Sequence, residues 1–365
     1  MKARIKTVWL LAAMVVALAF LAAVMLTARQ VKSPISDVQY EAACNMTYAE
    51  LYIRQKMNQM GITVEADDLN NTLLIGPEVT ELTTTNGAIE AKRTSLVPDF
   101  AAAMVRYYTQ AGLKAGDTVA IGTSGSFPGL AIASIAAAGT MGLEIKVIAS
   151  LGASMHGATR VEFNIFDILE ALKECGIADF DLVAVSQGSS KDQGGGAWDG
   201  FHYEDTKALF REICEKTAVS TGAVFIDRPD LEDSIRMRLE LFGDVDLFVN
   251  VGGSGASNGT TTRMLDVPAG LVTSFSGIPE DSTRGLVFEY LARGIPVVNL
   301  LNVRQLGSDN GIAYDPVPIP EPGNSGVYMQ TSYSPALIIA GILCTLGILA
   351  AGVILPQRKS RSHKT

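Results

Sequence analysis

Histidine is almost missing from this chain: three in 365 residues, His156, His202 and His363. A metal site built on imidazoles is not to be expected, and no Cys or carboxylate spacing supplies one instead. Cysteine is as scarce. Cys44, Cys175, Cys214 and Cys344 are too few for a disulfide scaffold, and Cys344 falls inside an apolar run. The other three are an odd set, so at most one internal pair can form; Cys175 and Cys214, at ends of expected helices, are the pair that could. The nucleotide-loop motifs are missing too. No lysine follows the central glycine loop as a Walker A requires, and no G-x-G-x-x-G occurs there, so no cofactor is expected. Positive charge is short as well. There are 29 Lys and Arg against 38 Asp and Glu. Seven of the 29 sit in the two tails, which leaves 22 against 38 between them, a net charge of −16. Such a body speaks against nucleic acid as a partner, since phosphate backbones are held by basic patches.

What the chain does have is two long apolar runs, residues 8–26 and 336–355, of 19 and 20 uncharged residues. Each is long enough to cross a hydrocarbon core of ~30 Å. The first exceeds a normal signal-peptide core, and Thr27-Ala28-Arg29-Gln30 is a poor cleavage site, so it reads as an uncleaved anchor. Lys2, Arg4 and Lys6 precede the first run, and Arg358, Lys359, Arg361 and Lys364 follow the second. Neither tail holds an acidic residue, which places both in the cytoplasm and the intervening domain on the far side of the cell membrane. The layout expected is a basic tail (1–7), a span (8–26), a stalk or packing helix (27–60), an extracytoplasmic domain of one body or two lobes (61–312), a proline-rich tether (313–334), a second span (335–355) and a basic tail (356–365).

Between the spans, short apolar runs alternate with amphipathic ones. Residues 118–121, 144–150, 181–186, 223–226, 246–251 and 295–301 read as strands; 99–111, 130–141, 163–175, 203–217, 231–242 and 282–293 read as helices. Residues 73–78 read as a further short strand, and 271–274 as a doubtful one. The alternation predicts an α/β fold: a mostly parallel sheet with helices on both faces, Rossmann-like or flavodoxin-like, flanked by the two spans.

Ligands of open α/β sheets bind at the carboxyl ends of strands. The loops there are residues 122–128, 152–158, 187–196 and 252–259, rich in Gly, Ser, Thr and Asn and nearly free of carboxylates in all but the third. They offer N–H and hydroxyl donors, suited to a carboxylate, a phosphate or a peptide; they also have the composition of any tight βα turn. The candidate ligand-binding residues are Thr123, Ser124, Gly125, Ser126, Ser154, His156, Gly252, Gly253 and Ser254. Lys92 and Arg93, with Thr94 beside them, are the candidate anion-contacting pair, although a solvated charge cluster also explains them. A serine hydrolase would take Ser124 or Ser126 as nucleophile, His156 as base and Asp192 or Asp227 as orienter. Against it, Gly122-Thr123-Ser124-Gly125-Ser126 is not a G-x-S-x-G elbow. Glu78, Glu81 and Glu90 are close in sequence, but nothing shows that they converge as paired carboxylates.

Several segments taken together resemble one family: Ile75-Gly76-Pro77-Glu78, Glu90-Ala91-Lys92-Arg93-Thr94-Ser95, Gly125-Ser126-Phe127-Pro128, Gly152-Ala153-Ser154-Met155, Val249-Asn250-Val251-Gly252-Gly253 and Asp315-Pro316-Val317-Pro318-Ile319-Pro320-Glu321-Pro322-Gly323. They look like those of the poly-γ-glutamate system proteins, in an order that covers nearly the whole chain and both terminal runs. The resemblance implies a membrane-anchored accessory component of poly-γ-glutamate capsule synthesis or export, partnered with the synthetase and export subunits. It carries over no catalytic residue. The extracytoplasmic domain would then bind the anionic polymer or a small anion, with polymer contact confined to Lys92, Arg93 or Arg160 because the rest of the body repels it. The alternatives are a Ser-dependent hydrolase or transferase acting on γ-glutamyl or other amides, and an extracytoplasmic sensor of small anions.

Overall fold

A computed structural model of the chain describes residues 5–195 and 203–362. Lys2, Arg4, residue 196 at the end of the 187–196 loop, residues 197–200, His202, His363 and Lys364 lie outside the described residues. The chain forms two compact units, residues 1–33 with 329–365, and residues 34–328.

In the first unit, helix α1 (Thr7–Leu26) leads into strand β1 (Arg29–Lys32), which pairs antiparallel with the returning strand Met329–Ser332. The returning helix is Pro335–Ser362. The two helices keep the antiparallel register of the ribbon. A Cβ on Gly341 would lie 2.9 Å from Phe20 Cβ, and one on Gly352 2.8 Å from Trp9 Cβ. Small residues at such crossings let apolar helices approach closely, which is how helices pack where solvent supplies no drive. The first residues of α1 and the last apolar residues of the returning helix therefore lie at the same end of the pair. Thr7–Leu26 and Pro335–Ile354 are each long and apolar enough to cross a membrane, and Leu10, Leu18, Ile339 and Leu346 are exposed along them.

The second unit runs α2 (Ser36–Gln59), β2 (Thr83–Thr85), α3 (Ile89–Thr94), α4 (Asp99–Gln110), β3 (Thr118–Ser124), α5 (Pro128–Thr140), β4 (Glu144–Ser150), β5 (Ala153–Ser154) and α6 (Ile165–Cys175). It continues with β6 (Asp181–Ser186), α7 (Tyr203–Thr221), β7 (Val224–Ile226), α8 (Leu231–Phe242), β8 (Leu247–Val251), α9 (Gly255–Asn258), β9 (Gly270–Val272), α10 (Leu286–Ala292), β10 (Val297–Leu300) and α11 (Val303–Asn310). Seven strands make one sheet in the order β7-β6-β4-β3-β8-β10-β9. All neighbours are parallel except β9, which runs antiparallel to β10 at one edge.

Alternate strand residues serve opposite faces. Val119, Ile121, Val147 and Val249 join a core with α2, α4, α5 and α6; Ala120, Ile148, Phe248 and Val297 join another with α8, α9 and α10. The chain steps outward from β3 to β7 through α5, α6 and α7, then returns through α8 to β8, on the other side of β3. Crossovers of one hand place helices this way, on one face going out and on the other coming back. Helix α5 is buried on every side, because α2 and α4 pack over it. Only small side chains fit between two layers, which explains its run of alanines.

Helix α2 is a core element. Ala42, Met46, Ala49, Ile53 and Met57 recur at helical spacing, all buried against the α4, α5 and α6 layer. The proline-rich segment is likewise fastened to this unit. Asp315 makes two 2.6 Å bonds with Arg93, Asn70 accepts from Ile319 N at 3.1 Å, and Asp99 accepts from Gly323 N at 3.1 Å and from the Tyr328 hydroxyl. Through Tyr328 it is a strap on the body and not a free spacer.

Three local expectations differ. Residues 73–78 form no ladder: Asp68 Oδ2 takes the Leu73 N–H at 2.7 Å, Leu73 itself sits at φ 65°, and Gly76 N–H donates to Gly157 O at 3.1 Å. A side chain and a loop satisfy this backbone, where a neighbouring strand was expected. The doubtful run at 271–274 is the antiparallel edge strand β9. Helix α11 was not anticipated, although its Asn302 cap and left-handed Gly311 end were both visible in sequence. All four cysteines are free, Cys214 buried in the core and Cys175 partly exposed.

If α2 carries core, Ile53→Ala is expected to lower unfolding stability by about 2–5 kcal/mol. Urea unfolding of the full chain in detergent micelles measures it; a loss under about 1 kcal/mol would show that this face is not packed as described.

Candidate functional site

Between β3 and β8 the strand order changes direction: β4, β6 and β7 follow on one side, β10 and β9 on the other. Loops leaving two adjacent strands for opposite faces leave a crevice at their carboxyl ends, the general ligand position of such sheets. Here it is a cavity of about 590 Å³. Its walls are Ser124 at the end of β3 and Ser126 after it, Gly152 after β4, Ser189 to Lys191 and Gln193 to Gly195 after β6, and Gly252 to Gly255 with Asn258 to Thr260 after β8. Thr84 and Thr85 complete it, brought over by the pairing of β2 with β5. Among the described residues that line it, Lys191 is the one charged side chain, and there is no carboxylate.

Each wall is held by side chains beneath it. After β8, Gly252 turns at φ 78°, and a Cβ there would lie 2.9 Å from Ser124 Oγ and 3.0 Å from Ser126 Cβ. Only glycine allows both that backbone angle and that approach. Buried Asn250 donates to Asn299 Oδ1 at 3.1 Å and to Asn258 Oδ1 at 3.3 Å, and Asn258 donates to Gly253 O at 3.1 Å, so the loop is sewn to the sheet. After β6, Asp192 folds inward at φ 61° onto Arg238, with bonds of 2.7 and 3.1 Å, both side chains 2% exposed. The same carboxylate accepts from Ser186 Oγ at 2.8 Å, Ser234 Oγ at 2.5 Å and Gly188 N at 3.1 Å. A buried ion pair with this many hydrogen bonds is satisfied, and it fixes the loop that walls the cavity.

Of the residues singled out from sequence, Ser124, Ser126, Gly252, Gly253 and Ser254 line the cavity. Gly125 ties two walls together, donating to Gly152 O at 3.1 Å and accepting from Ala158 N at 2.7 Å. Thr123 is buried beside it, off the lining. Arg93 and Thr94 face away: Arg93 pairs with Asp315, while Thr94 Oγ1 donates to Glu90 O at 2.6 Å and accepts from Asp315 N at 2.8 Å. Arg160 is buried on Glu65, at 2.8 Å, and on the carbonyls of Leu73 and Ile75. These cations hold the fold together and do not line the cavity.

The serine triad does not assemble. His156 is buried at φ 61°, its N–H donating to Pro77 O at 3.3 Å, and its ring makes no hydrogen bond among the described residues. Asp192 belongs to Arg238, and Asp227 pairs with Arg211 near the surface. Thr84, Thr85, Lys191, Gln193 and Thr260 are wall residues that sequence reasoning did not name singly. Their hydroxyl, amine and amide types can be read in the sequence, but only the β2–β5 pairing and the Asp192 fold aim them at one space.

Lys92 lies directly behind this wall. Its Nζ donates to Ser126 O, bonds Ser154 Oγ, and stands 3.7 Å from the centroid of the Phe127 ring. Ser154 N–H in turn donates to Ser126 Oγ at 3.1 Å. At 2% exposure, burial pushes the Lys92 ammonium down from its usual range to about 7. No family model matches the chain, and no curated protein matches it.

The unfolded chain holds the Lys92 proton up to its ordinary value near 10.5, while the folded protein releases it near 7. Between those values the unfolded state binds more protons, so stability gains with rising pH. The unfolding free energy of the wild type is expected to climb relative to Lys92→Met by about 1 kcal/mol per pH unit from pH 7 to 10. Urea titrations of both proteins across that range test it, and a constant difference would contradict the buried, titrating amine.

Proposed function

We propose that the second unit is a binding module for a ligand bearing carboxylates, held at a membrane by the helical pair of the first. The carrying observation is the cavity where the strand order reverses, walled by hydroxyls, backbone N–H groups and Lys191, with no carboxylate among its described lining residues. In a body of strongly negative charge, this is the place where an anion meets donors instead of repulsion. A strand order centred on the first strand, with three successive strands on one side, supports a Rossmann-like winding over a flavodoxin-like one.

Two apolar helices with their outer ends together, and basic tails beyond them, support a chain anchored by two spans with both termini in the cytoplasm and the α/β unit outside. With the resemblance of its segments to the poly-γ-glutamate system proteins, the reading becomes an accessory component of capsule polymer synthesis or export. The cavity would take γ-linked glutamyl carboxylates, and the synthetase and export subunits would be its partners.

A reporter fused after Thr365 is expected to be active in the cytoplasm; external activity would overturn the topology. For the ligand, the test is a thermal-shift screen of the full chain in detergent micelles. Glutamate, γ-glutamyl oligomers, nucleotides and sugar phosphates are compared. At about 100 times Kd a bound ligand adds about 2.7 kcal/mol, a shift of several degrees. Oligomers are expected to give it. A shift with free glutamate alone would favour a small-anion sensor, and a shift with none of them would end the binding reading.

A further inference from the structure

Lys92 is an expensive residue to place where it is. An ammonium out of water is stabilised by a carboxylate or by several acceptors, yet burial sets its shift and no carboxylate among the described residues offsets it. The groups around Nζ are one carbonyl, one hydroxyl and an aromatic face. Gly87 closes over it: a Cβ there would lie 3.0 Å from Lys92 Cε, 3.2 Å from Ser154 Oγ and 2.7 Å from Met155 O. Both serines it touches are buried, and Ser126 is the one that lines the cavity. A neutral amine can donate to Ser126 O and accept from the Ser154 hydroxyl, which satisfies every bond the site shows.

We infer that Ser126, Ser154 and Lys92 form an acyl-transfer centre on the cavity wall, acting on an amide or ester carbonyl bound there. This rests on the reading of the cavity as a ligand site and adds chemistry to it. Ser126 Oγ, held by the Ser154 N–H at 3.1 Å, attacks the carbonyl carbon, and a turn of its side chain passes its proton to the Ser154 hydroxyl and on to the neutral Lys92 Nζ. The new C–O bond makes a tetrahedral oxyanion, which the N–H groups of Gly253 and Ser254 on the same cavity wall would hold; neither donates to an acceptor among the described residues. Collapse breaks the bond to the leaving nitrogen or oxygen, which takes the proton back from Lys92 along the same path. Water, activated by the same amine, then releases the acid and restores Ser126. A lysine serves as general base when burial brings its value near working pH, and this one sits in that range. Nothing in the mechanism calls on His156.

The test is labelling of the full chain in detergent micelles by a fluorophosphonate, followed by peptide mass mapping. One adduct is expected, at Ser126, with a rate that rises with pH about a midpoint near 7, since among the described residues no other titratable side chain contacts Nζ. Ser154→Ala and Lys92→Met are expected to slow it by about 100-fold, and Lys92→Met to flatten the pH profile. Should Lys92→Met fail to fold, by circular dichroism, Ser154→Ala and the wild-type pH profile decide. No adduct, an adduct on another serine, or an unchanged rate in the variants overturns the inference. If γ-glutamyl oligomers still raise the melting temperature, only the chemistry is lost; if they do not, the binding reading falls with it.

Discussion

The hand of the crossover connections is the constraint on which this protein's α/β unit turns. A right-twisted strand followed by a right-handed helix returns to the sheet on one side only. Going outward from β3, the chain must therefore stack α5, α6 and α7 on one face. To add β8 on the opposite flank of β3, it must pass to the other face through α8. The loops after β3 and β8 then diverge, and the space between them stays open. The cavity is a consequence of winding before it is a consequence of any side chain.

Keeping that space in shape falls to polar groups placed where a soluble core normally holds none. Asn250 and Asn299 face each other on neighbouring strands, and the Asp192–Arg238 pair lies wholly buried under the loop after β6. The ion pair is costly alone and acceptable because its partners are complete, while Asn250 bonds through its amide N–H groups and leaves its Oδ1 without a partner among the described residues. The result is a set of loops fixed to the sheet, although their composition of Gly, Ser and Asn would otherwise leave them slack. The strap from Asp315 to Tyr328 is fastened to the unit in the same way, through Arg93, Asn70 and Asp99.

Charge is distributed along the same lines. Three buried cations, Arg93, Arg160 and Arg238, are each held by a carboxylate and serve the fold. Lys92 is buried without one among the described residues and stands against the cavity wall, while Lys191 lies on the lining itself. Sequence places Lys92 and Arg93 side by side, and the short helix α3 sends them in different directions. Neighbours in a helix turn are about 100° apart, so an adjacent pair rarely serves one ligand.

Local pattern was enough to locate most elements. The β-branched runs at β3, β4, β6 and β8, the small-residue loops behind them, the α2 stripe of Ala42, Met46, Ala49 and Ile53, and the two apolar terminal helices are all written in periods of two, of 3.6, or of plain length. Those periods also fixed which loops end at strand carboxyl termini, and so named Ser124, Ser126, Gly252, Gly253 and Ser254. Strand order is not a local property, and it alone decided that the loops after β3 and β8 share a cavity while residues 156 and 227 stand apart from it. The β2–β5 pairing across some 70 residues brought Thr84 and Thr85 in, and long-range hydrogen bonds turned an apparent strand at 73–78 into an irregular buried loop. Sequence spacing records which side chains share a face. Which faces meet is set by packing between elements far apart in the chain, and only the folded body holds that information.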